Sequence, residues 1–194
     1  MTKLPTELSD KFDVIFYNKS EANVKFYHDL GFTPNGITTL SMITGFLSVF
    51  FLYNEMYILS GILLVCSYYY DCMDGTMARK YNMTSKFGDL YDHLKDISVS
   101  SCLMYFLYQQ YKNTRHFYVL YIVLLTIFLS NINGGYQELY QNKSDFSILS
   151  FLTLFTPSKD KEDTINKLHI TKYCGFGTSN MFIVLAIVLL KFIK

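Results

Sequence analysis

The chain has 194 residues, 51% of them hydrophobic and 18% aromatic, with 17 basic and 16 acidic side chains for a net charge of +1. So many aromatics at so small a net charge exclude intrinsic disorder, and without a basic excess the chain is not expected to bind a nucleic-acid backbone by charge. The averages resemble those of an ordinary globular domain, but the placement of the charges does not.

Five stretches carry no acidic or basic side chain: residues 37–53, 56–70, 97–111, 117–137 and 173–190. Too little polar chain lies between them to coat five buried helices, so they read as spans of an all-α integral membrane protein. Three of them have only 15 to 17 residues, whereas a spanning helix needs about 20. At about 1.5 Å per residue, 56–70 covers roughly 23 Å, so its helix is expected to run on into Asp71. By the same argument 97–111 is expected to begin upstream, near Asp92 and Asp96.

Residues 1–36 read as a juxtamembrane segment and 37–194 as the transmembrane domain. Between residues 9 and 30, charged residues alternate with Phe12, Ile15, Phe16, Ala22, Phe26, Tyr27 and Leu30 at helical spacings, which predicts an amphipathic helix lying in the headgroup region. No signal peptide is expected, because this segment is charged throughout and lacks a continuous apolar core. Pro34, which has no N–H to lose, opens the first spanning helix.

Lys3, Lys11, Lys19 and Lys25 precede that helix, the turn at Asn54 and Glu55 has no positive charge, and the next loop holds Arg79, Lys80 and Lys86. The positive-inside rule therefore places the N-terminus and the 79–86 loop in the cytoplasm. The loop with Lys112 and Arg115 then faces outward, a modest departure from the rule. Residues 138–172, with Lys143, Lys159, Lys161, Lys167 and Lys172, return to the cytoplasm. Within them, 146–156 are apolar but too short to cross, and read as an interfacial or packed helix. The expected fold is a polytopic helical bundle of five transmembrane helices, or six if 146–156 cross, with an N-terminal interfacial helix. Cys66, Cys72, Cys102 and Cys174 have neither disulfide nor zinc-site spacing and read as small apolar side chains.

Residues 71–96, DCMDGTMARKYNMTSKFGDLYDHLKD, concentrate the polar chemistry. Relative to Asp71 on a helix, Asp74 lies at about 300°, Gly75 at about 40° and Ala78 at about 340°. Gly88, Asp92 and Asp96, spaced by four, stack on one face of the following helix. If the two helices are antiparallel neighbours joined by a cytoplasmic loop, all four carboxylates meet at one depth. Such a cluster repels itself unless cations neutralise it, and a set of oxygen ligands suits Mg²⁺ or Mn²⁺. Two such ions can clamp the attacking and leaving oxygens of a phosphoryl displacement. Arg79 offers a forked donor for a phosphate. Asp89 reads as a surface charge, His93 as interfacial and Lys95 as solvated, with contact to an acceptor phosphate as its alternative.

The pattern Asp71-x2-Asp74-Gly75-x2-Ala78-Arg79-x8-Gly88-x3-Asp92-x3-Asp96 resembles the signature of the CDP-alcohol phosphotransferase (CDP-alcohol phosphatidyltransferase) family. The likeness extends upstream to Thr33-Pro34-Asn35-x2-Thr38 and covers about residues 10–132. It implies a membrane enzyme that cleaves a CDP-linked donor, moves the phosphate-bearing group to an alcohol or lipid acceptor and releases CMP. By that resemblance Asp71, Asp74 and Asp92 are metal ligands, and Asp96 shares that role or acts as the base for the acceptor hydroxyl. Gly75, Ala78, Arg79 and Gly88 would line the CDP site. Asn35 and Thr38 are further candidates that also read as local caps. The resemblance further implies a homodimer.

The donor stays open at this level. Asn82-x-Thr84-x2-Phe87-Gly88 is similar to members that use CDP-diacylglycerol, while Gly88-Asp89-Leu90-Tyr91-Asp92-His93 resembles choline and ethanolamine phosphotransferases. Two alternatives use the same acids differently: an Mg²⁺-dependent intramembrane prenyltransferase, and a non-enzymatic cation transporter. The first usually places its acidic motifs far apart in a longer chain, and the second usually shows internal repeats and broken helices.

Overall fold

The structure, a computed structural model, describes residues 4–113, 117–141 and 148–193. Arg115, Lys143 and Lys3, used in the charge argument, and the start of 146–156 lie outside these. Among the described residues every regular element is helical: α1 (Lys11–Asp29), α2 (Pro34–Tyr53), α3 (Tyr57–Lys80), α4 (Lys86–Tyr111), α5 (Tyr118–Gln141), α6 (Lys161–Thr171) and α7 (Phe176–Ile193), with short 3-10 segments between some of them.

Local chemistry sets the boundaries. The Thr33 hydroxyl accepts from the Gly36 N–H at 3.2 Å, and Pro34 occupies the first turn of α2. Ser85 caps α4 in the same way, accepting from the Gly88 N–H at 3.0 Å. As the apolar run lengths require, α3 extends through Asp71 to Lys80 and α4 starts at Lys86, upstream of Asp92.

The long helices alternate in direction. The start of α2, the end of α3 and the start of α4 meet at one end of the bundle, where Thr38 bonds Asp74 and Thr39 bonds Tyr91. At the other end the start of α3 meets the end of α4 through the hydroxyls of Tyr57 and Tyr111, 3.1 Å apart. There Leu52, Leu64, Leu103, Leu107, Val123, Ile187 and Leu190, drawn from all five long helices, form the main apolar cluster.

Small residues let α2 approach both its neighbours closely. Ser41 and Ser67 exchange hydroxyl-to-carbonyl bonds of 2.9 and 2.8 Å, and the Ser48 hydroxyl donates to the Ser60 carbonyl at 2.8 Å. A Cβ on Gly45 would stand 3.0 Å from Val99 on α4 and 3.1 Å from the Ser67 hydroxyl on α3, so glycine is needed for this spacing. Consequently α3 and α4 each pack on α2 and scarcely on each other. The sequence reading of α3 and α4 as direct neighbours is corrected here: α2 is the platform between them.

Among the described residues, three stretches are long and apolar enough to cross a membrane: Pro34–Tyr53, Tyr118–Gln141 and Lys161–Phe192. Both α3, with 24 residues, and α4, with 26, are long enough as well. Their hydroxyls, amides and acids keep them less apolar, which is why the five uncharged runs do not all meet the same standard. Phe46, Phe50, Ile62, Leu125, Phe128 and Leu185 point outward and exposed, the arrangement expected of a surface facing lipid.

Helix α1 is amphipathic in an instructive sense. Phe12, Ile15, Phe26 and Leu30 are exposed along one side, while Asp13, Ser20 and Val24 are buried on the other, against α3 and α7. Asp10, itself buried, caps α1 through the Phe12 N–H at 2.7 Å and also accepts from the Thr178 N–H of α7 at 3.0 Å. The 3-10 segment Ile148–Phe155 packs along α5, where Leu152 is buried while Leu154 and Phe155 are exposed. Cys72 is buried, the other three cysteines are half-buried, and all four are free.

Candidate active site

The four motif aspartates converge at the end of the bundle where α2 starts. Asp71 and Asp74 come from the last turns of α3, and Asp92 and Asp96 from the first turns of α4. Asp71, Asp74 and Asp92 present carboxylate oxygens that all lie within 4.8 Å of one another. Asp74 is buried and Asp71 and Asp92 are partly exposed, so the trio opens toward solvent on one side. Three hard, anionic oxygen donors at this spacing fit Mg²⁺ or Mn²⁺, and no sulfur ligand competes within the group.

Thr38, one turn into α2, donates its hydroxyl to Asp74 Oδ2 at 2.6 Å. It is therefore more than a cap, because its hydrogen bond orients a candidate ligand carboxylate. Asn35 comes close to the α4 start: a Cβ on Gly88 would stand 3.1 Å from Asn35 Oδ1 and 3.0 Å from the Ser85 hydroxyl. Gly75 is similarly shielded, with Arg79 Nη1 3.1 Å from where its Cβ would be. Arg79 lies over the ring of Tyr17, 5.6 Å from its centroid, and its Nε and Nη2 have no hydrogen-bond partner. Ala78 is half-buried on the same helix. The structure thus brings Gly75 to Arg79, and Gly88 to Asn35, on two sides of the carboxylate cluster.

Lys95 departs from the sequence reading. Instead of being solvated it is 3% exposed, and its ammonium pairs with Asp71, with Asp96 at 2.6 Å and with Asp92 at 3.1 Å. The signal was available, since Lys95 stands about 300° from Asp92, the same offset that put Asp74 beside Asp71. Asp89, by contrast, is exposed as expected, 3.7 Å from His93. His93 lines the cavity described below, with a ring nitrogen within 4.8 Å of carboxylate oxygens of Asp92 and Asp96.

A cavity of about 380 Å³ leads inward from Asp71, Asp92 and Asp96. Asn131, Gln137 and Glu138 from α5, Asn180 from α7 and Asp13 and Tyr17 of α1 line it together with apolar side chains that include Leu64, Leu103, Ile127, Phe176 and Ile183. The polar face of α1 and the polar ends of α5 and α7 had no assigned role in the sequence reading. What gave them one is their position around this space.

Comparison with known proteins agrees with the motif. Residues 32–190 match the family described as CDP-alcohol phosphatidyltransferase. The chain is similar to a CDP-diacylglycerol–inositol 3-phosphatidyltransferase of Saccharomyces cerevisiae, 34% identical over 127 residues that make up 66% of this chain and 54% of the relative. It is also similar to a CDP-diacylglycerol–serine O-phosphatidyltransferase of Helicobacter pylori, 38% identical over 64 residues, 33% of this chain and 27% of the relative. An archaetidylinositol phosphate synthase of Pyrococcus horikoshii is 36% identical over 67 residues, 34% of this chain and 36% of the relative. The chain thus matches about half the length of the yeast relative and smaller parts of the others. No solved structure matches it. With the eight-position motif folded into one carboxylate cluster and a family match across most of its length, the chain belongs to the CDP-alcohol phosphatidyltransferase family.

Proposed function

We propose that the protein is a membrane transferase that cleaves CDP-diacylglycerol, transfers the phosphatidyl group to a small polar alcohol and releases CMP. The observation that carries this reading is the convergence of Asp71, Asp74 and Asp92, two of which line a cavity of mixed polar and apolar character. The donor is favoured by the yeast and Helicobacter relatives, both named for CDP-diacylglycerol. A small polar acceptor is favoured by the amides and carboxylates found among the otherwise apolar groups that line the cavity.

A divalent ion held by Asp71, Asp74 and Asp92, Mg²⁺ or Mn²⁺, supplies Lewis-acid charge to the diphosphate when bound. The chain's own groups do the rest. Arg79, with donors left over, binds phosphate oxygens of the CDP moiety, and Gly75, without a side chain, leaves room for its guanidinium. Asp96 faces the cavity and takes the proton of the acceptor hydroxyl. The acceptor oxygen forms a bond to the phosphatidyl phosphorus as the bond from that phosphorus to the bridging oxygen breaks, and CMP leaves with the bridging oxygen. Thr38 holds the Asp74 carboxylate in its orientation.

The membrane placement belongs to the same proposal. All five long helices cross the bilayer, α1 lies in the headgroup layer with Phe12, Ile15 and Phe26 in contact with lipid, and the carboxylate cluster opens to the cytoplasm.

Purified protein with Mg²⁺ or Mn²⁺, offered CDP-diacylglycerol together with inositol, serine or glycerol phosphate, is expected to release CMP with at least one acceptor. CDP-choline or CDP-ethanolamine with diacylglycerol is expected to give none. CMP formation from the soluble donors alone would overturn the donor assignment, and no CMP from any pair would overturn the activity.

A further inference from the structure

Resting on that reading, we propose that the Lys95 ammonium fills one of the two cation positions of the carboxylate cluster, so that the chain binds one divalent ion instead of a pair. The expectation of two ions came from counting four carboxylates with no cation among them. In the structure the cluster already contains one.

Lys95 is anchored from three helices. It rises from α4, pairs with Asp71 on α3 and with Asp92 and Asp96 on its own helix, and comes within 3.4 Å of the Ser41 hydroxyl on α2. An ammonium has three protons to donate, and here three carboxylates and a hydroxyl surround it. The four carboxylates thus divide into two overlapping groups. Asp71, Asp74 and Asp92 share an opening that fits a metal, whereas Asp71, Asp92 and Asp96 converge on Nζ. Asp74 is oriented by the Thr38 hydroxyl, while Asp71, Asp92 and Asp96 are ion-paired to Lys95.

Paired divalent ions in phosphoryl-transfer sites stand about 3.5–4 Å apart and share bridging carboxylates. Here Asp71 and Asp92, the carboxylates common to both groups, are already in contact with Lys95, which also takes Asp96, so the carboxylates left for a second ion are those the ammonium holds. A second divalent ion could enter that place only by displacing the ammonium, because two cations in contact repel each other strongly. Lys95 cannot readily yield the place. Its side chain is 2% exposed, and withdrawing it would strip the charge partner from three carboxylates at once. The single fixed charge also holds Asp96, which gives Lys95 a positioning role toward the proposed base.

The test is a Mn²⁺ titration of the purified full chain followed by electron paramagnetic resonance, without donor or acceptor. The unmodified protein is expected to bind one Mn²⁺ per chain with an uncoupled six-line spectrum. Lys95→Met, which keeps the length of the side chain and removes its charge, is expected to bind two ions with the broadened spectrum of a coupled pair. Lys95→Arg is expected to return to one uncoupled ion, a rescue that a purely structural role would not produce. A coupled pair in the unmodified protein, or one ion in folded Lys95→Met, would overturn the inference and leave the transferase reading intact. Absence of any Mn²⁺ binding would instead count against the metal-assisted reaction itself, and CMP release assayed in parallel separates the two.

Discussion

The two ends of α3 and α4 are built on opposite principles. At one end Tyr57, Leu64, Leu103, Leu107 and Tyr111 interlock with α2, α5 and α7 in an apolar cluster whose polar groups are satisfied locally. At the other end the same two helices hold four carboxylates, three of them around one ammonium, and Asp74 and Lys95 are removed from solvent. Such a group of like charges opposes folding, because each buried acid loses hydration and repels its neighbours. The apolar end offsets that cost. The lesson is a division of labour along single helices: stability is concentrated at one end so that the other can keep its charges pointed into a cavity.

This division predicts that substitutions at the two ends separate activity from stability. The largest effect is expected of Asp92→Asn. It removes a candidate ligand and should lower CMP release by at least about 10³-fold. The apparent melting temperature in detergent should hold or rise, since one of the crowded charges is gone. A melting temperature that falls along with the activity would break the comparison. Next comes Leu107→Ala at the apolar end, where the residue is 1% exposed. Its loss should destabilise by about 2–5 kcal/mol, measured as a lower melting temperature, while Mn²⁺ stoichiometry stays unchanged.

A smaller effect is expected of Thr38→Val, which keeps the shape and removes the hydroxyl on Asp74. Mn²⁺ affinity should weaken by about 10–100-fold, with little change in melting temperature. The smallest belongs to Asp89→Asn. Asp89 is exposed and stands 3.7 Å from His93, so CMP release should stay within about twofold. A large loss there would extend the site to the outer face of α4.

The carboxylate cluster could be read before any coordinates, because helical periodicity alone puts Asp71 with Asp74 and Asp92 with Asp96. So could the starts of α2 and α4, where Thr33, Pro34 and Ser85 obey capping rules that depend only on neighbours along the chain. What escaped depends on the third dimension. That α2 lies between α3 and α4 follows from Ser41, Gly45 and Ser48 matching Ser60, Ser67 and Val99, a fit no single-helix pattern displays. Lys95 reads as solvated from the sequence, and the place of Asp71 across the gap, which joins Asp92 and Asp96 in turning it inward, is not visible there. The inward face of α1 escaped for a related reason: Asp13 and Tyr17 look like the polar side of an interfacial helix until the cavity beside them is visible.

The central claim is that the α3–α4 carboxylates perform a metal-assisted transfer from a CDP-linked lipid. Its most direct test is CMP release from CDP-diacylglycerol by the unmodified protein and by Asp71→Asn, each stripped with EDTA and then resupplied with Mn²⁺. The account predicts that EDTA silences the unmodified protein, that Mn²⁺ restores it, and that Asp71→Asn stays silent in both conditions. CMP released at equal rates by the EDTA-treated protein and by Asp71→Asn would contradict it.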